Sequence, residues 1–149
     1  EGLQDRVSAI LSDRSRIEEE LSEKTDRLLA ALKDRYLEKV VEIDGRSFIS
    51  SETDLNPNDM KRLADMLVNE IEGAVILGSS DDNSVSLVCK VDQAMAGEIH
   101  AGKIISSISS VVGGGGGGGK EFAQGGGPKV GKLSKALDSG MELLKGSKE

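Results

Sequence analysis

The sequence predicts an α+β fold, in which a long N-terminal helical arm precedes a small globular domain of β-hairpins packed with helices. We expect the hairpins to form a mixed or antiparallel sheet and the domain to contain a glycine-rich loop. Three patterns in the 149 residues predict this: an opening run of helix formers, apolar strands around short polar turns, and two amphipathic segments that enclose a glycine run. We place the arm at 1–38 and the globular domain at 39–149.

The predicted arm is one helix from Leu3 to about Tyr36, because this stretch contains no Gly or Pro and is rich in Glu, Lys, Arg, Leu and Ala. Its apolar stripe, interrupted at Arg14 and Lys24, comprises Leu3, Val7, Ile10, Ile17, Leu21, Leu28 and Ala31. Such a stripe needs a partner, which could be a second copy, the rest of a parent chain or the globular domain. We expect a coiled-coil or hairpin arm with self-association through it. Because the chain begins with Glu rather than Met, we expect a piece of a longer protein.

The first predicted hairpin turns at Asp44-Gly45, a dipeptide typical of two-residue turns between apolar runs. This turn places Val41 opposite Phe48 on the paired strands 40–43 and 46–49.

An amphipathic helix follows, with Asn56 as its N-cap, Pro57 at its first position and Gly73 as its expected end. A second strand pair, 74–77 and 85–91, turns at the acidic cluster 81–83. This cluster lacks the ligand spacing of a calcium loop, so we interpret it as a solvated turn.

The last third of the chain contains two glycine blocks, Gly113 to Gly119 and Gly125 to Gly127. A helix with Ile104, Ile105, Ile108, Val111 and Val112 on one face precedes them, and a final helix is predicted after Pro128. Two interpretations of the first block stay open. It is either a flexible linker, or a loop whose bare backbone approaches a phosphate-bearing partner closely. The second is favoured by the lysines predicted in the first turns of the final helix, Lys129, Lys132 and Lys135, because a bound phosphate would offset their repulsion by the helix dipole.

The distribution of charge also indicates that the C-terminal part of the chain contacts an anion. The formal net charge is −7, yet residues 103–149 contain seven Lys and four acids. An acidic body with a mildly basic, glycine-rich end points weakly to an anionic partner.

Composition excludes several function classes. The only aromatic residues are Tyr36, Phe48 and Phe122, which argues against a platform that stacks single-stranded bases on rings. One cysteine, Cys89, and one histidine, His100, argue against a zinc site, a disulfide framework and a Cys/His or Ser/His/Asp centre. We expect Cys89 to be a buried small hydrophobe and His100 to be a surface or helix-capping side chain.

A nucleotide-binding loop is rejected on its spacing. Gly114, Gly119 and Lys120 fit a P-loop, but Glu121 follows where Ser or Thr must hold magnesium, and the block follows a helix rather than a strand.

The glycine blocks carry a family resemblance. The run from Val111-Val112 through Gly113 to Gly118, and then Ala123-Gln124 followed by three glycines, closely resemble the C-terminal (C-Ala, DHHA1-type) domain of alanyl-tRNA synthetase. The strand patterns at 41–45 and 85–88 and the upstream helix fit the same family. One position departs from the pattern, since the block's usual basic residue falls on Gly119 and its Pro on Lys120.

The resemblance implies a non-catalytic module that binds the outer corner of tRNA(Ala), supports aminoacylation and editing, and dimerises through its helical part. It implies further that the other domains of the parent synthetase are partners, that the location is cytoplasmic without a membrane contact, and that ATP, Mg and Zn belong to the parent enzyme, with no cofactor, metal or catalytic residue in this fragment. The expected RNA-binding residues are Gly113, Gly114, Gly116, Gly117, Gly118, Lys120, Gln124, Gly125, Gly126, Gly127, Lys129, Lys132 and Lys103.

Two alternatives stay open. The first is the nucleic-acid-binding domain of a DHH-type phosphodiesterase or single-strand exonuclease, although the histidine and the Ala-Ala-Gly segment usual in that form are missing here. The second is a purely oligomerising helical fragment in which the glycine block is an inert linker.

Overall fold

Helices cover both faces of one sheet in the computed structural model, which describes the backbone of residues 2–43 and 45–146 and the side chains of 16–43 and 45–145. The elements are α1 Gly2–Leu37, β1 Val41–Ile43, β2 Arg46–Glu52, α2 Pro57–Ile71, β3 Ala74–Ser80, β4 Val85–Val91, α3 Ala101–Val111, β5 Gly115–Gly118, β6 Phe122–Gly127 and α4 Leu133–Gly146. Short 3-10 turns lie at Gln93–Met95 and Val130–Lys132. The expected α+β class is confirmed.

The sheet has the strand order β1-β2-β3-β4-β6-β5, and it is mixed because β2 and β3 run parallel while the other neighbours run antiparallel. The predicted register of the first hairpin is confirmed, with Val41 opposite Phe48. Asp44 lies outside the described residues, and Gly45 has the positive φ of 81° that its turn requires. The second predicted strand pair is confirmed as β3 and β4.

Helix α2 begins at the predicted residue but does not end at the predicted one. Asn56 is the N-cap as predicted, since its Oδ1 accepts the N–H of Asp59 at 2.8 Å. The prediction that Gly73 ends the helix is wrong, because Glu72 takes the left-handed conformation at φ 53°. Gly73 serves a different purpose: a Cβ on it would lie 1.7 Å from the backbone oxygen of Ser47, so its hydrogen lets the chain enter β3 directly beside β2.

The sheet separates two apolar cores. On one face, α3 and α4 pack over a cluster that includes Ile76, Leu87, Cys89 and Ile105. On the other face, α2 packs over β3 and β4, and α1 packs on α2. Cys89 is fully buried as predicted, and this burial raises the pKa of its thiol to about 12.

The C-terminal part of α1 contacts the globular domain through a face different from the predicted stripe. Leu29 is fully buried against α2, and ion pairs join Lys33 to Glu70 and Asp26 to Arg62. The stripe residues Ile17, Leu21 and Leu28 remain 59%, 63% and 55% exposed. The side chains of Leu3, Val7 and Ile10 lie outside the described residues. The globular domain therefore does not cover the described part of the stripe, and an arm that pairs with another chain stays a prediction.

The expected glycine-rich loop is wrong over most of its length, and so is the linker interpretation. Gly115–Gly118 form strand β5, which pairs with the second glycine block in β6. Backbone pairing needs no side chain, so a chain of glycines can form a strand when a neighbour supplies the ladder partners. The final helix also begins later than expected: Lys129 and Lys132 precede α4, and only Lys135 lies in its first turn.

No helix in the described part of the chain is long and apolar enough to cross a membrane.

Candidate functional site

Strand β5 is the last strand of the sheet and is attached to α3 at both ends. At the start of α3, the N–H groups of Ala101 and Gly102 donate to the carbonyl oxygens of Lys120 and Gly119, each at 3.0 Å. At its end, the N–H of Gly114 donates to the carbonyl of Ser109 at 3.0 Å. These bonds hold the glycine strand in place. They also satisfy helix N-terminal amides that would otherwise be free to bind an anion.

Alternate glycines in β5 and directly before it are required by packing. A Cβ would lie 1.9 Å from Gly126 O at Gly114, 2.4 Å from Gly125 Cα at Gly116 and 2.5 Å from Phe122 O at Gly118. These distances are far below van der Waals contact, so a side chain would push β5 off β6. The close approach expected of a bare backbone therefore occurs, but the approached group at these three positions is the chain's own β6.

Gly115 and Gly117 differ from their neighbours, because a Cβ on either would meet nothing within 4 Å. Neither has a positive φ, since among the described glycines only Gly45 and Gly113 do. Packing and backbone conformation therefore leave both positions open to a side chain. Their bare surface faces solvent on the side of the sheet that carries α2.

We call this surface the open face. Helix α2 packs mainly on β3 and β4 and reaches β6 at Phe122, so the rest of this face toward β5 is left open. Cross-strand pairing fixes its members, because residues opposite each other point to the same side: Gly115 lies opposite Gly126 and Gly117 opposite Gln124. Gln124 is exposed. Its amide is the only side-chain hydrogen-bonding group contributed by these four residues.

Two features border the open face. A recess of about 400 Å³ lies between the start of α2 and β6, lined by Pro57, Ser86, Leu87, Gln124 and Gly125. At the start of β6, the ring of Phe122 carries two cations, with Lys61 Nζ 4.8 Å and Lys90 Nζ 5.7 Å from its centroid. Lys90 also pairs with Asp65 at 3.1 Å.

Opposite charge lies beyond the other end of β4. Asp54 and Asp81 line a hollow that shares Pro57 and Ser86 with the recess. Asp81 Oδ1 accepts the N–H groups of Asn83 at 2.7 Å and Ser84 at 2.8 Å, and these bonds lower the pKa of the carboxyl. The predicted solvated turn is confirmed. This turn forms an acidic end of the open face, whereas Lys61 and Lys90 form a basic end.

The structure divides the predicted lysines into separate groups. Lys103 and Lys120 line a groove of about 580 Å³ at the start of α3, together with His100 and Glu142. Lys129 lies at the other end of α3, with its methylene carbons 3.1 Å from where a Cβ of Gly113 would be. Helix α3 has 11 residues, which is about 16 Å at ~1.5 Å per residue. Neither the groove nor Lys129 lies on the open face.

His100 has the capping role that was one of its two predicted alternatives. Its Nδ1 accepts the backbone N–H of Lys103 at 3.3 Å, at the N-cap position of α3.

The border of the open face includes four residues that were not predicted as part of the site: Lys61, Lys90, Phe122 and Ser86. Lys90 and Ser86 were visible only as the polar side of a strand, and Lys61 only as the polar side of a helix. Their grouping depends on β6 pairing with β4, a contact that local patterns do not reveal. Among the described side chains, no three His, Cys, Asp or Glu residues group closely enough to hold a metal ion.

Comparison with known proteins gives consistent relatives. The DHHA1 domain family matches residues 40–146. An alanine--tRNA ligase of Pseudoalteromonas translucida is 33% identical over 137 residues, covering 91% of this chain and 16% of the relative. One of Pseudomonas entomophila is 33% identical over 139 residues, covering 92% of this chain and 16% of the relative. The chain thus spans about a sixth of the length of the curated relatives that it matches.

Solved structures agree. The C-Ala domain of Aquifex aeolicus alanyl-tRNA synthetase has a TM-score of 0.66 and 26% identity, covering 72% of this chain and 98% of that one. A DHH domain from a member of the s1p family of ribosomal proteins has a TM-score of 0.55 at 16% identity, covering 85% of this chain and 31% of that one, and so shares the fold alone. From the family match and these relatives together, the chain belongs to the DHHA1 domain family and is similar to the C-terminal domain of alanyl-tRNA synthetases.

Proposed function

We propose that this chain is the non-catalytic, tRNA-binding C-terminal domain of a longer alanyl-tRNA synthetase, and that it holds the outer corner of tRNA(Ala) on its open face. The family match supports the assignment to this parent protein, because the relatives that the chain matches are alanine--tRNA ligases. The catalytic and editing centres, with their ATP, Mg and Zn, then belong to the remainder of the parent, as do the cytoplasmic location and the contacts with its other domains.

One observation carries the choice of surface: Gly115 and Gly117 are bare where the fold does not need them to be. Glycine in a strand lowers the free energy of unfolding by about 0.5–1 kcal/mol relative to alanine. At these two positions no close packing contact requires the glycine. A partner that must lie close to the backbone accounts for both glycines. RNA suits such a surface, because exposed base faces are flat and folded RNA is recognised by shape and by scattered hydrogen bonds.

The electrostatics predict the character of this binding. The cations that we place at the border of the open face, Lys61 and Lys90, lie at the end near Phe122, and Asp54 and Asp81 lie toward the other end. A partner with a phosphate backbone would therefore enter at the Phe122 end. With few phosphate contacts, the affinity of the isolated domain should be modest and should fall with salt.

Self-association through α1 is the second part of the proposal. Ile17, Leu21 and Leu28 form an exposed apolar stripe at helical spacing, and the globular domain buries a different face of α1. A second copy of the same helix offers a matching stripe, as in coiled coils.

The test of RNA recognition uses fluorescence anisotropy with three RNAs: a tRNA(Ala) transcript, the same tRNA with its elbow removed, and a single-stranded oligomer of equal length. Each is titrated at about 50 mM and about 200 mM salt. We expect the intact tRNA to bind about tenfold more tightly than the other two. Equal binding of all three would contradict corner recognition and favour the phosphodiesterase-type alternative. Absence of binding would favour the oligomerising fragment.

A further inference from the structure

The ring of Phe122 fixes the position of an unneutralised cation at the border of the open face. Phe122 begins β6, two residues before Gln124, so both side chains lie on the same side of the sheet. The ring is half-buried and packs against the α2 core. It is therefore a fixed support, and Lys61 extends from α2 to place its Nζ 4.8 Å from the ring centroid.

The two lysines at this ring differ in their free charge. Lys90 is half-buried and forms an ion pair with Asp65 at 3.1 Å, so its charge is compensated. Lys61 is exposed, and no carboxylate among the described residues pairs with it. Its neighbour Arg62 pairs with Asp26 and Asp59. Lys61 is therefore the cation of α2 that remains available to an outside anion.

Contact with a ring changes what a lysine can contribute to binding. The ring attracts the ammonium without neutralising its charge. A side chain already held in one place also loses less rotamer entropy when it binds a ligand. The pair of Lys61 and Phe122 thus presents a positioned, uncompensated charge beside Gln124 and Gly117.

We propose that Lys61 binds a backbone phosphate of the RNA that lies on the open face, and that Phe122 is its positioning residue. This inference rests on the proposed function. It assigns the electrostatic contact to a residue outside both glycine blocks and outside the predicted lysines, Lys103, Lys120, Lys129 and Lys132.

The test measures Kd for the tRNA(Ala) transcript against salt for the whole 149-residue chain and its Lys61→Gln and Lys61→Arg variants. Loss of one phosphate contact should lower the slope of log K against log salt by about 0.7–0.9 in Lys61→Gln, and should weaken binding several-fold at low salt. Lys61→Arg should restore the slope. Lys33→Gln is the matched control, because Lys33 contacts Glu70 on the far side of α2 and should leave the slope unchanged.

A second pair of variants tests the positioning role. Phe122→Leu keeps an apolar contact with the core but removes the ring, so it should weaken binding by itself and add little to Lys61→Gln. Binding by the unmodified chain with an unchanged slope in Lys61→Gln would overturn this inference alone. Absence of RNA binding by the unmodified chain would overturn the proposed function and the inference with it.

Discussion

At the scale of single residues, glycines in this chain are of two kinds: those that the packing requires and those that it does not. A Cβ added at Gly73 would clash with the backbone oxygen of Ser47, and one added at Gly116 would clash with the backbone of Gly125. A Cβ added at Gly117 would meet nothing within 4 Å. The first two are demanded by the fold. For the third we propose a partner, and the difference between these kinds of glycine appears only when the neighbours of each one are known.

Gly73→Ala should destabilise the domain severely, because the new Cβ would lie 1.7 Å from a backbone atom that is fixed in the sheet. We expect a loss of at least about 2 kcal/mol in the free energy of unfolding, which is the upper half of the usual range for overpacking or more. Urea denaturation followed by circular dichroism measures it. Gly97→Ala is the matched control, since its Cβ would meet nothing within 4 Å, and it should stay within about 0.5 kcal/mol of the unmodified chain. Equal midpoints for the two variants would contradict this packing.

Local chemistry allowed several residues to be predicted from the sequence. The cap at Asn56 and the register of Val41 with Phe48 depend on a few adjacent residues, and both are confirmed. The predicted end of α2 was wrong because Gly73 is needed for a close contact with Ser47 on a different strand. Short-range rules place a glycine after a helix, but they do not reveal a strand that crosses beside it.

At the scale of elements, the glycine strand was the hardest to predict. Strands are recognised by alternating side chains and by β-branched residues, and a run of identical glycines has neither. Its pairing comes from β6 and its attachment from both ends of α3, which are long-range contacts. The same reason explains why the lysines were predicted as one group but lie apart.

Helix α1 carries a testable prediction at this scale. Replacing Ile17, Leu21 and Leu28 together by Lys should abolish self-association, because it removes the exposed apolar stripe and adds mutual repulsion. Multi-angle light scattering at several concentrations measures the mass. Replacement of Glu18, Glu19 and Glu23 by Gln is a control that changes charge on the same turns of the helix and keeps the stripe. A monomeric unmodified chain across the concentration range would contradict the proposed dimer.

At the scale of the whole molecule, the sheet order creates the candidate site. Placing β6 between β4 and β5 brings Phe122 next to Lys90 and the second glycine block next to Ser86, and the position of α2 adds Lys61. The glycine blocks, supported by the strand patterns and the upstream helix, were enough to identify the family. The border of the site was not predictable in this way, because it is assembled from segments that are distant along the chain.

The central claim is that the open face binds RNA through bare backbone, and the most direct measurement is the tRNA affinity of Gly117→Thr. A β-branched residue suits a strand, so the free energy of unfolding should stay level or rise. Affinity should fall about tenfold or more, because the side chain stands where the RNA must approach. Gly97→Thr, in the groove with Lys103 and Lys120, should bind as the unmodified chain does. Full affinity in a folded Gly117→Thr would contradict the account, and loss of affinity in Gly97→Thr alone would move the contact to that groove.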